Sequence, residues 1–143
     1  MKSDKSQITS NLWIGAVPTD AMQLPSLGFT HLALCAEEFQ FPKRQFKGLE
    51  VKRCPMIDVD NGTVINLKGA IDAANWVADS AFSGGQVLVT CAAGINRSAL
   101  VTALALRLLG HEPSDAVDLI RSRRFPYCLS NDTFLKTALT LPL

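Results

Sequence analysis

The stretch VLVTCAAGINRS, residues 87–98, combines side chains that could carry out nucleophilic chemistry on a phosphate. Cys91 follows a short apolar run, a loop of small residues comes next, and Arg97 stands six positions after the cysteine. A thiolate is a nucleophile, and a planar guanidinium can hold two oxygens of one phosphoryl group. Ser98 can donate a hydrogen bond from its hydroxyl to the sulfur. The spacing therefore indicates a cysteine nucleophile paired with an arginine that binds oxyanions.

The elements on either side of this loop predict an anion site. Residues 87–89 are apolar and mostly β-branched, as in a strand buried on both faces, and ALVTALALRLLG after Ser98 is strongly helical and ends at Gly110. A strand that turns through small residues into a helix directs several backbone N–H groups at one point, near the positive end of the helix dipole. The same field should favour the thiolate form of Cys91. We expect the oxyanion to be bound by Ala92, Ala93, Gly94, Ile95, Asn96 and Arg97.

The sequence C-A-A-G-I-N-R-S resembles the signature loop of the cysteine-dependent protein tyrosine phosphatases, in the C-x5-R-S form of the dual-specificity class. The resemblance extends over nearly the whole chain and is most specific at 86–102. It implies one α/β domain over residues 1–143, with a central, mostly parallel sheet flanked by helices. It also implies hydrolysis of a phosphomonoester through a phosphocysteine at Cys91, without a metal or cofactor. Thr90 stands where the family usually has His, and we expect its hydroxyl to hydrogen-bond within the loop.

The leaving oxygen of a phosphomonoester needs a proton, and in the family an Asp about thirty residues before the cysteine, often in P-x-x-D, supplies it. Here P-M-I-D places Asp58 in that pattern, whereas Asp60 fits the commonest spacing better. Asp58 is the favoured candidate and Asp60 the alternative, although both could simply solvate a turn. RRFPYCLSNDTFL, residues 123–135, is similar to the family's R-P-x-x-x-x-N-x-x-F segment. The matching Asn131 would brace the signature loop from behind, cap a helix, or do both.

Hydrophobic patterns predict the other elements. Strands are expected over 8–17 around a Ser10-Asn11 turn, over 30–36 and over 49–55, and helices over 65–82 and 114–123. Asp20 is expected to cap a short helix. A right-handed crossover should bring Asp58 and Cys91 to the same carboxyl edge of the sheet. The core stripe of the 65–82 helix is predicted to contain Leu67, Ile71, Ala74, Ala78 and Phe82.

Composition narrows the function classes. A chain of 143 residues with 48% hydrophobic content predicts a globular domain that folds without metal or disulfides. The formal net charge of +1 creates no strong field toward nucleic acid or an anionic membrane. No C-x-x-C pair, membrane-length apolar run or targeting segment is present, so we predict a soluble cytoplasmic protein. A solvated edge, or less often a docking face for an acidic partner, is predicted for Lys43, Arg44, Lys47, Lys52 and Arg53.

The side chains of the loop indicate which class of substrate the site favours. Ala92, Ala93 and Ile95 add no positive charge, which argues against inositol phospholipids and favours a phosphorylated protein or peptide, acted on by a monomer. Two alternatives stay open. G-I-N-R-S also resembles the loop of capping-type RNA triphosphatases, so RNA with a 5′-phosphate is a second candidate substrate. Thr90 could instead mark a phosphate-binding module that has lost catalysis.

Overall fold

A five-stranded sheet forms the centre of the fold in the computed structural model, which describes residues 4–19 and 21–143. The strand order is β1-β2-β5-β3-β4, and only the β1–β2 hairpin is antiparallel. The predicted, mostly parallel sheet is therefore confirmed. All four residues of β5 are buried, as expected for an apolar strand between two neighbours. The strands are β1 (Lys5–Thr9), β2 (Leu12–Gly15), β3 (His31–Ala36), β4 (Glu50–Met56) and β5 (Val87–Thr90).

The α-helices pack together on one face of this sheet. They are α1 (Leu67–Phe82), α2 (Arg97–Leu108), α3 (Pro113–Arg123) and α4 (Asp132–Thr140). Because α1, α3 and α4 all contact α2, ten of its twelve residues are buried. The other face of the sheet is covered by short 3-10 helices at Ala21–Gln23, Pro25–Leu27 and Lys43–Phe46, and Phe46 packs there into an apolar cluster with Leu32 and Leu88.

Two local predictions need comment. The α1 stripe is wrong at its C-terminal end, since Phe82 is 85% exposed. The prediction followed the larger apolar side chains, whereas close packing against α2 selects a face of small residues that includes Ala70, Ala73 and Ala74. The predicted cap at Asp20 lies outside the described residues. The short turns after it end at Gly28, whose φ of +98° suits glycine.

The carboxyl ends of β3, β4 and β5 meet at one edge of the sheet because these strands are parallel. β3 leads there into a 3-10 helix at Glu37–Phe39, β4 leads to Asp58, and β5 leads to Cys91. Residues far apart in sequence are thereby gathered around the 91–97 loop, as the crossover argument predicts. Within the two described ranges, none of the helices has the length and apolarity to cross a membrane.

Candidate active site

The loop from Cys91 to Arg97 is held entirely from its outer side. Each carbonyl from Ala92 to Asn96 accepts a hydrogen bond from surrounding protein. In chain order the donors are the N–H of Val17 (3.1 Å), Nη2 of Arg124 (2.9 Å), Nε of Arg124 (2.7 Å), the N–H of Leu129 (2.8 Å) and the N–H of Leu100 (2.8 Å). The peptide units are therefore fixed with their oxygens outward.

The opposite ends of these peptide units point toward the inside of the loop. In the part of the chain that the structure describes, none of the N–H groups of these peptide units, which belong to residues 93–97, donates to a protein acceptor. Their position beside the N-terminus of α2 adds the positive end of a twelve-residue helix dipole. This arrangement is a cradle for an oxyanion, built from backbone.

Gly94 makes the tight path of the loop possible. Its φ is +70°, and a Cβ at this position would lie 2.6 Å from Nη2 of Arg124 and 2.7 Å from the backbone of Gly15. Gly15 ends β2, and its carbonyl accepts from the N–H of Cys91 at 3.4 Å. The loop is therefore packed directly against the end of β2, with no space for a larger residue.

The sulfur of Cys91 lies at the start of this cradle. Its residue is buried, with 5% of its surface exposed, and Sγ is 3.1 Å from Oγ of Ser98. Ser98 itself is fully buried. The contact expected between the Ser98 hydroxyl and the sulfur is thus present, and a hydroxyl donor at this distance stabilises negative charge on sulfur.

The guanidinium of Arg97 is bound by Glu38, a residue that the sequence did not indicate as part of the site. Its Nη1 donates to Oε1 of Glu38 at 2.6 Å and to the carbonyl of Met56 at 3.0 Å, and its Nη2 donates to Oε2 of Glu38 at 2.8 Å. The bidentate bond lowers the pKa of Glu38 from 4.5 to about 2 and raises the pKa of Arg97. Nε of Arg97 is buried without a partner among the described residues. That donor remains available for a ligand.

Asp58 is connected to the loop by two asparagine side chains. Asn96 donates from Nδ2 to Oδ2 of Asp58 at 3.1 Å, and Asn131 donates from Nδ2 to Oδ1 at 2.8 Å. The backbone N–H of Asn131 in turn donates to Oδ1 of Asn96 at 3.0 Å. These three residues form a closed set of contacts that holds the exposed carboxylate of Asp58 against the loop.

Asp60 is engaged elsewhere. Its Oδ1 accepts from both the hydroxyl of Thr133 at 2.7 Å and the N–H of Thr133 at 3.1 Å, at the start of α4. The Thr133 hydroxyl is the main cause of a lowered pKa at Asp60. A carboxylate held ionised at a helix N-terminus is a poor proton donor. Asp60 is therefore bonded at the start of α4, whereas Asp58 is the carboxylate that contacts the loop.

Comparison with known proteins identifies the family of this chain. A family model described as the catalytic domain of dual specificity phosphatases matches residues 12–140. The chain belongs to the dual-specificity phosphatase family. No curated protein sequence matches it.

Solved structures of this family have the same fold. Human DUSP28 has a TM-score of 0.80 and 22% identity, with 96% of this chain and 92% of that chain covered. Human tyrosine phosphatase-like serine/threonine/tyrosine-interacting protein has a TM-score of 0.73 and 23% identity, with 96% and 94% covered. DUSP15 has a TM-score of 0.72 and 21% identity, with 96% and 88% covered. At these identities the likeness concerns the fold alone.

One of the two predicted supporting contacts in this dual-specificity phosphatase domain needs correction. The Thr90 hydroxyl donates to the carbonyl of Ala33 in β3 at 3.0 Å, so the prediction that it bonds within the loop is wrong. A short side chain at the end of a central strand reaches its neighbouring strand more easily than the loop beyond. Asn131 caps α4, accepting from the N–H of Phe134 at 3.2 Å, and it bonds to the loop through its backbone N–H, which donates to Asn96, whereas its side-chain amide donates to Asp58.

The brace behind the loop is Arg124, which is 8% exposed. Besides its bonds to the carbonyls of Ala93 and Gly94, it contacts Asp4 and Ser6 near the first strand. The sequence offered a weak signal for it, since Arg124 lies in the segment similar to the family's R-P motif. The sequence gives no signal for Glu38, because an exposed glutamate in an irregular connection resembles any other solvated residue.

The other cysteines are buried and reduced. The hydrogen bond with Cys54, together with burial, raises the pKa of Cys35 well above its ordinary value, and burial raises the pKa of Cys128. Both shifts favour the unreactive thiol form. Among the described residues, no group of three or more His, Cys, Asp or Glu side chains is arranged to hold a metal.

Proposed function

We propose that this chain hydrolyses phosphomonoesters on proteins through a phosphocysteine at Cys91. The observation that carries the proposal is that the carbonyls of residues 92–96 all accept bonds from the surrounding protein, while the N–H groups of the same peptide units, on residues 93–97, have no partner among the described residues. A phosphoryl group has three equatorial oxygens that require such donors in the transition state. The unpartnered Nε of Arg97 supplies a charged donor in the same place.

In the first step the Cys91 thiolate attacks phosphorus. A sulfur–phosphorus bond forms as the ester phosphorus–oxygen bond breaks, and the leaving oxygen takes a proton from Asp58. The Ser98 hydroxyl, 3.1 Å from the sulfur, stabilises the thiolate before attack and again when it leaves. Glu38 keeps the Arg97 guanidinium turned toward the loop.

In the second step the same groups act in reverse roles. The Asp58 carboxylate accepts a proton from water, the water oxygen bonds to phosphorus, and the sulfur–phosphorus bond breaks to restore the thiolate and release phosphate. The contacts from Asn96 and Asn131 support this assignment because they hold the carboxylate at the loop.

Phosphotyrosine or phosphothreonine in a protein is the substrate we favour. Ala92, Ala93 and Ile95 contribute no cation around the cradle, so a substrate with several phosphates gains little there. RNA with a 5′-phosphate stays an alternative on the Asn96-Arg97-Ser98 resemblance, although the formal net charge of +1 does not favour it.

A binding module without turnover is the alternative from a different class. One structural relative is the human tyrosine phosphatase-like serine/threonine/tyrosine-interacting protein. The site of this chain favours catalysis over that alternative, because Cys91 and Arg97 belong to one loop and an acid candidate, Asp58, is hydrogen-bonded to that loop through Asn96. The Thr90 side chain does not intrude, since it bonds to β3.

Hydrolysis of p-nitrophenyl phosphate by the purified chain tests the proposal. We expect activity that vanadate inhibits, EDTA does not affect and Cys91→Ser abolishes. Asp58→Asn and Asp60→Asn form a matched pair, and with phenyl phosphate, a poorer leaving group, Asp58→Asn should lower kcat by about 10² to 10⁴. Wild-type activity in Cys91→Ser, or a larger loss in Asp60→Asn than in Asp58→Asn, would contradict the respective assignment.

Substrate class is then measured directly. Initial rates on a phosphotyrosine peptide, a phosphothreonine peptide and RNA carrying a 5′-triphosphate should rank the peptides first. Tight phosphopeptide binding without phosphate release would identify the binding module, and preference for the RNA would identify the capping-type activity.

A further inference from the structure

One edge of the sheet is open for strand pairing. β4 pairs only with β3, and the N–H of Glu50 donates toward that side, to the carbonyl of Thr30 at 3.0 Å. Because successive strand residues direct their backbone groups to opposite sides, the N–H and C=O groups of Val51 and Arg53 point away from β3. In the two ranges that the structure describes, neither of these N–H groups has a hydrogen-bond partner.

A groove of about 450 Å³ lies along this edge. Trp76 of α1 forms one wall, and Lys43, from the loop on the other face of the sheet, forms the opposite wall. Leu49, Val51 and Trp76 are half-buried and give the groove apolar surface. Pro55 is at the next outward position of β4 and has no N–H to donate, so the edge available for pairing ends before it. The full lining is Lys43, Leu49, Glu50, Val51, Arg53 and Trp76.

The edge concentrates positive charge in a chain whose formal net charge is only +1. In the described chain no ion pair is formed by Lys43, Arg44, Lys47 or Lys52. Arg53 donates to the carbonyl of Phe41 at 2.7 Å, which fixes the guanidinium without neutralising it. Glu50, the one carboxylate in the groove lining, lies 2.6 Å from Nε2 of His31. The Glu50 carboxylate is therefore already in contact with His31.

We propose that the β4 edge binds an extended acidic segment of a partner protein, which adds to the sheet as a sixth strand beside β4. Main-chain bonds to Val51 and Arg53 would supply the pairing, and carboxylates on the segment would face the surrounding cations. Lysine and proline at a sheet edge disfavour pairing with most other strands. Because the charge at this edge is positive, a negatively charged segment is the kind of strand that can pair with it. An RNA strand would use the cations but leave the backbone groups unpaired.

The proposal does not depend on phosphatase activity, but the location connects the two. β4 ends at Met56, two residues before Asp58, so a bound segment would lie along the strand that leads to the candidate acid. Binding can be measured with the inactive Cys91→Ser chain as well as with the wild type. Failure of one proposal therefore leaves the other intact.

The test uses a fluorescein-labelled peptide of four Val-Glu repeats and the full chain, with binding followed by fluorescence anisotropy. We expect saturable binding that weakens with added NaCl, and none with a peptide of four Val-Lys repeats. Lys43→Glu should weaken binding about ten-fold, because it replaces an attraction with a repulsion. Lys68→Glu, an exposed lysine on α1 outside the groove, is the matched control and should have no effect.

Amide hydrogen exchange separates strand pairing from loose charge attraction. With the Val-Glu peptide bound, the amides of Val51 and Arg53 should exchange at least several-fold more slowly, and Lys43→Glu should remove that protection. The proposal is overturned if the peptide does not bind, if Lys68→Glu weakens it as much as Lys43→Glu, or if these amides gain no protection. Tighter binding of a single-stranded RNA of equal length, without amide protection, would also overturn it.

Discussion

The contact between Glu38 and Arg97 gives the sharpest prediction about the site. Glu38→Gln keeps the size of the side chain but removes its charge, so Arg97 loses a bidentate ionic partner and keeps at most one neutral acceptor. Arg97 is buried, and its Nε has no partner among the described residues. We expect both the stability of the fold and kcat/KM to fall.

The pKa of Glu38 sets an upper limit on the stability that Glu38→Gln should lose. Lowering it from 4.5 to about 2 corresponds to at most about 3.4 kcal/mol, at about 1.36 kcal/mol per pH unit. The Glu38 side chain is 50% exposed, so solvent screening reduces this considerably, and we expect a loss of about 1 kcal/mol in the free energy of unfolding. Misdirection of Arg97 should lower kcat/KM by about ten-fold or more, with kcat affected more than KM.

Urea unfolding and steady-state kinetics at pH 7 measure the two effects. Glu37→Gln is the matched control, since Glu37 is the exposed neighbour in the same 3-10 helix. A depressed pKa stabilises the fold fully above the unfolded value of 4.5, and the contribution is lost as pH falls through about 2. The stability difference between wild type and Glu38→Gln should therefore disappear over that window. Equal behaviour of Glu37→Gln and Glu38→Gln at pH 7 would refute the reasoning.

Three further predictions concern the loop itself. Gly94→Ala should abolish activity and lower the free energy of unfolding by about 2 kcal/mol or more, because Gly94 has a positive φ and an added Cβ would lie 2.6 Å from Arg124. Gly84→Ala is the control: Gly84 also has a positive φ but open space around it, so urea unfolding should show a loss of about 1 kcal/mol. Asn96→Ala should lower kcat with phenyl phosphate, because the Asp58 carboxylate loses one of the two amide donors that hold it at the loop. Iodoacetamide should label Cys91 before Cys128, whose pKa is raised by burial, and vanadate should block that labelling in a mass-spectrometric assay.

The sequence predicted those parts of the fold that depend on local patterns. The apolar run before Cys91 became a buried central strand, and the helical run after Ser98 became α2. The crossover argument likewise predicted that Asp58 and Cys91 would lie at the same carboxyl edge of the sheet, because parallel strands place their carboxyl ends together. The distance in sequence between them did not matter once the order of strands and helices was known.

Contacts that depend on long-range packing could not be predicted in the same way. Glu38 is 59 residues from Arg97, and nothing in its neighbours distinguishes it from a solvated glutamate. Thr90 was expected to act locally, but its hydroxyl reaches β3 because β3 and β5 are adjacent in the sheet. Strand order is a property of the whole domain, which a local pattern does not contain.

The outward anchoring of the loop also explains how this chain can dispense with the usual His before the cysteine. The orientation of the amides is set by donors in the segment after β2, on α2 and in the segment after α3, all of which bond to carbonyls beyond Thr90. A residue at position 90 can therefore change without turning the cradle, provided that it fits between β3 and the loop. Substitution of Arg124, which holds two of these carbonyls, should disturb the cradle more than substitution of Thr90, although Arg124 lies outside the signature motif.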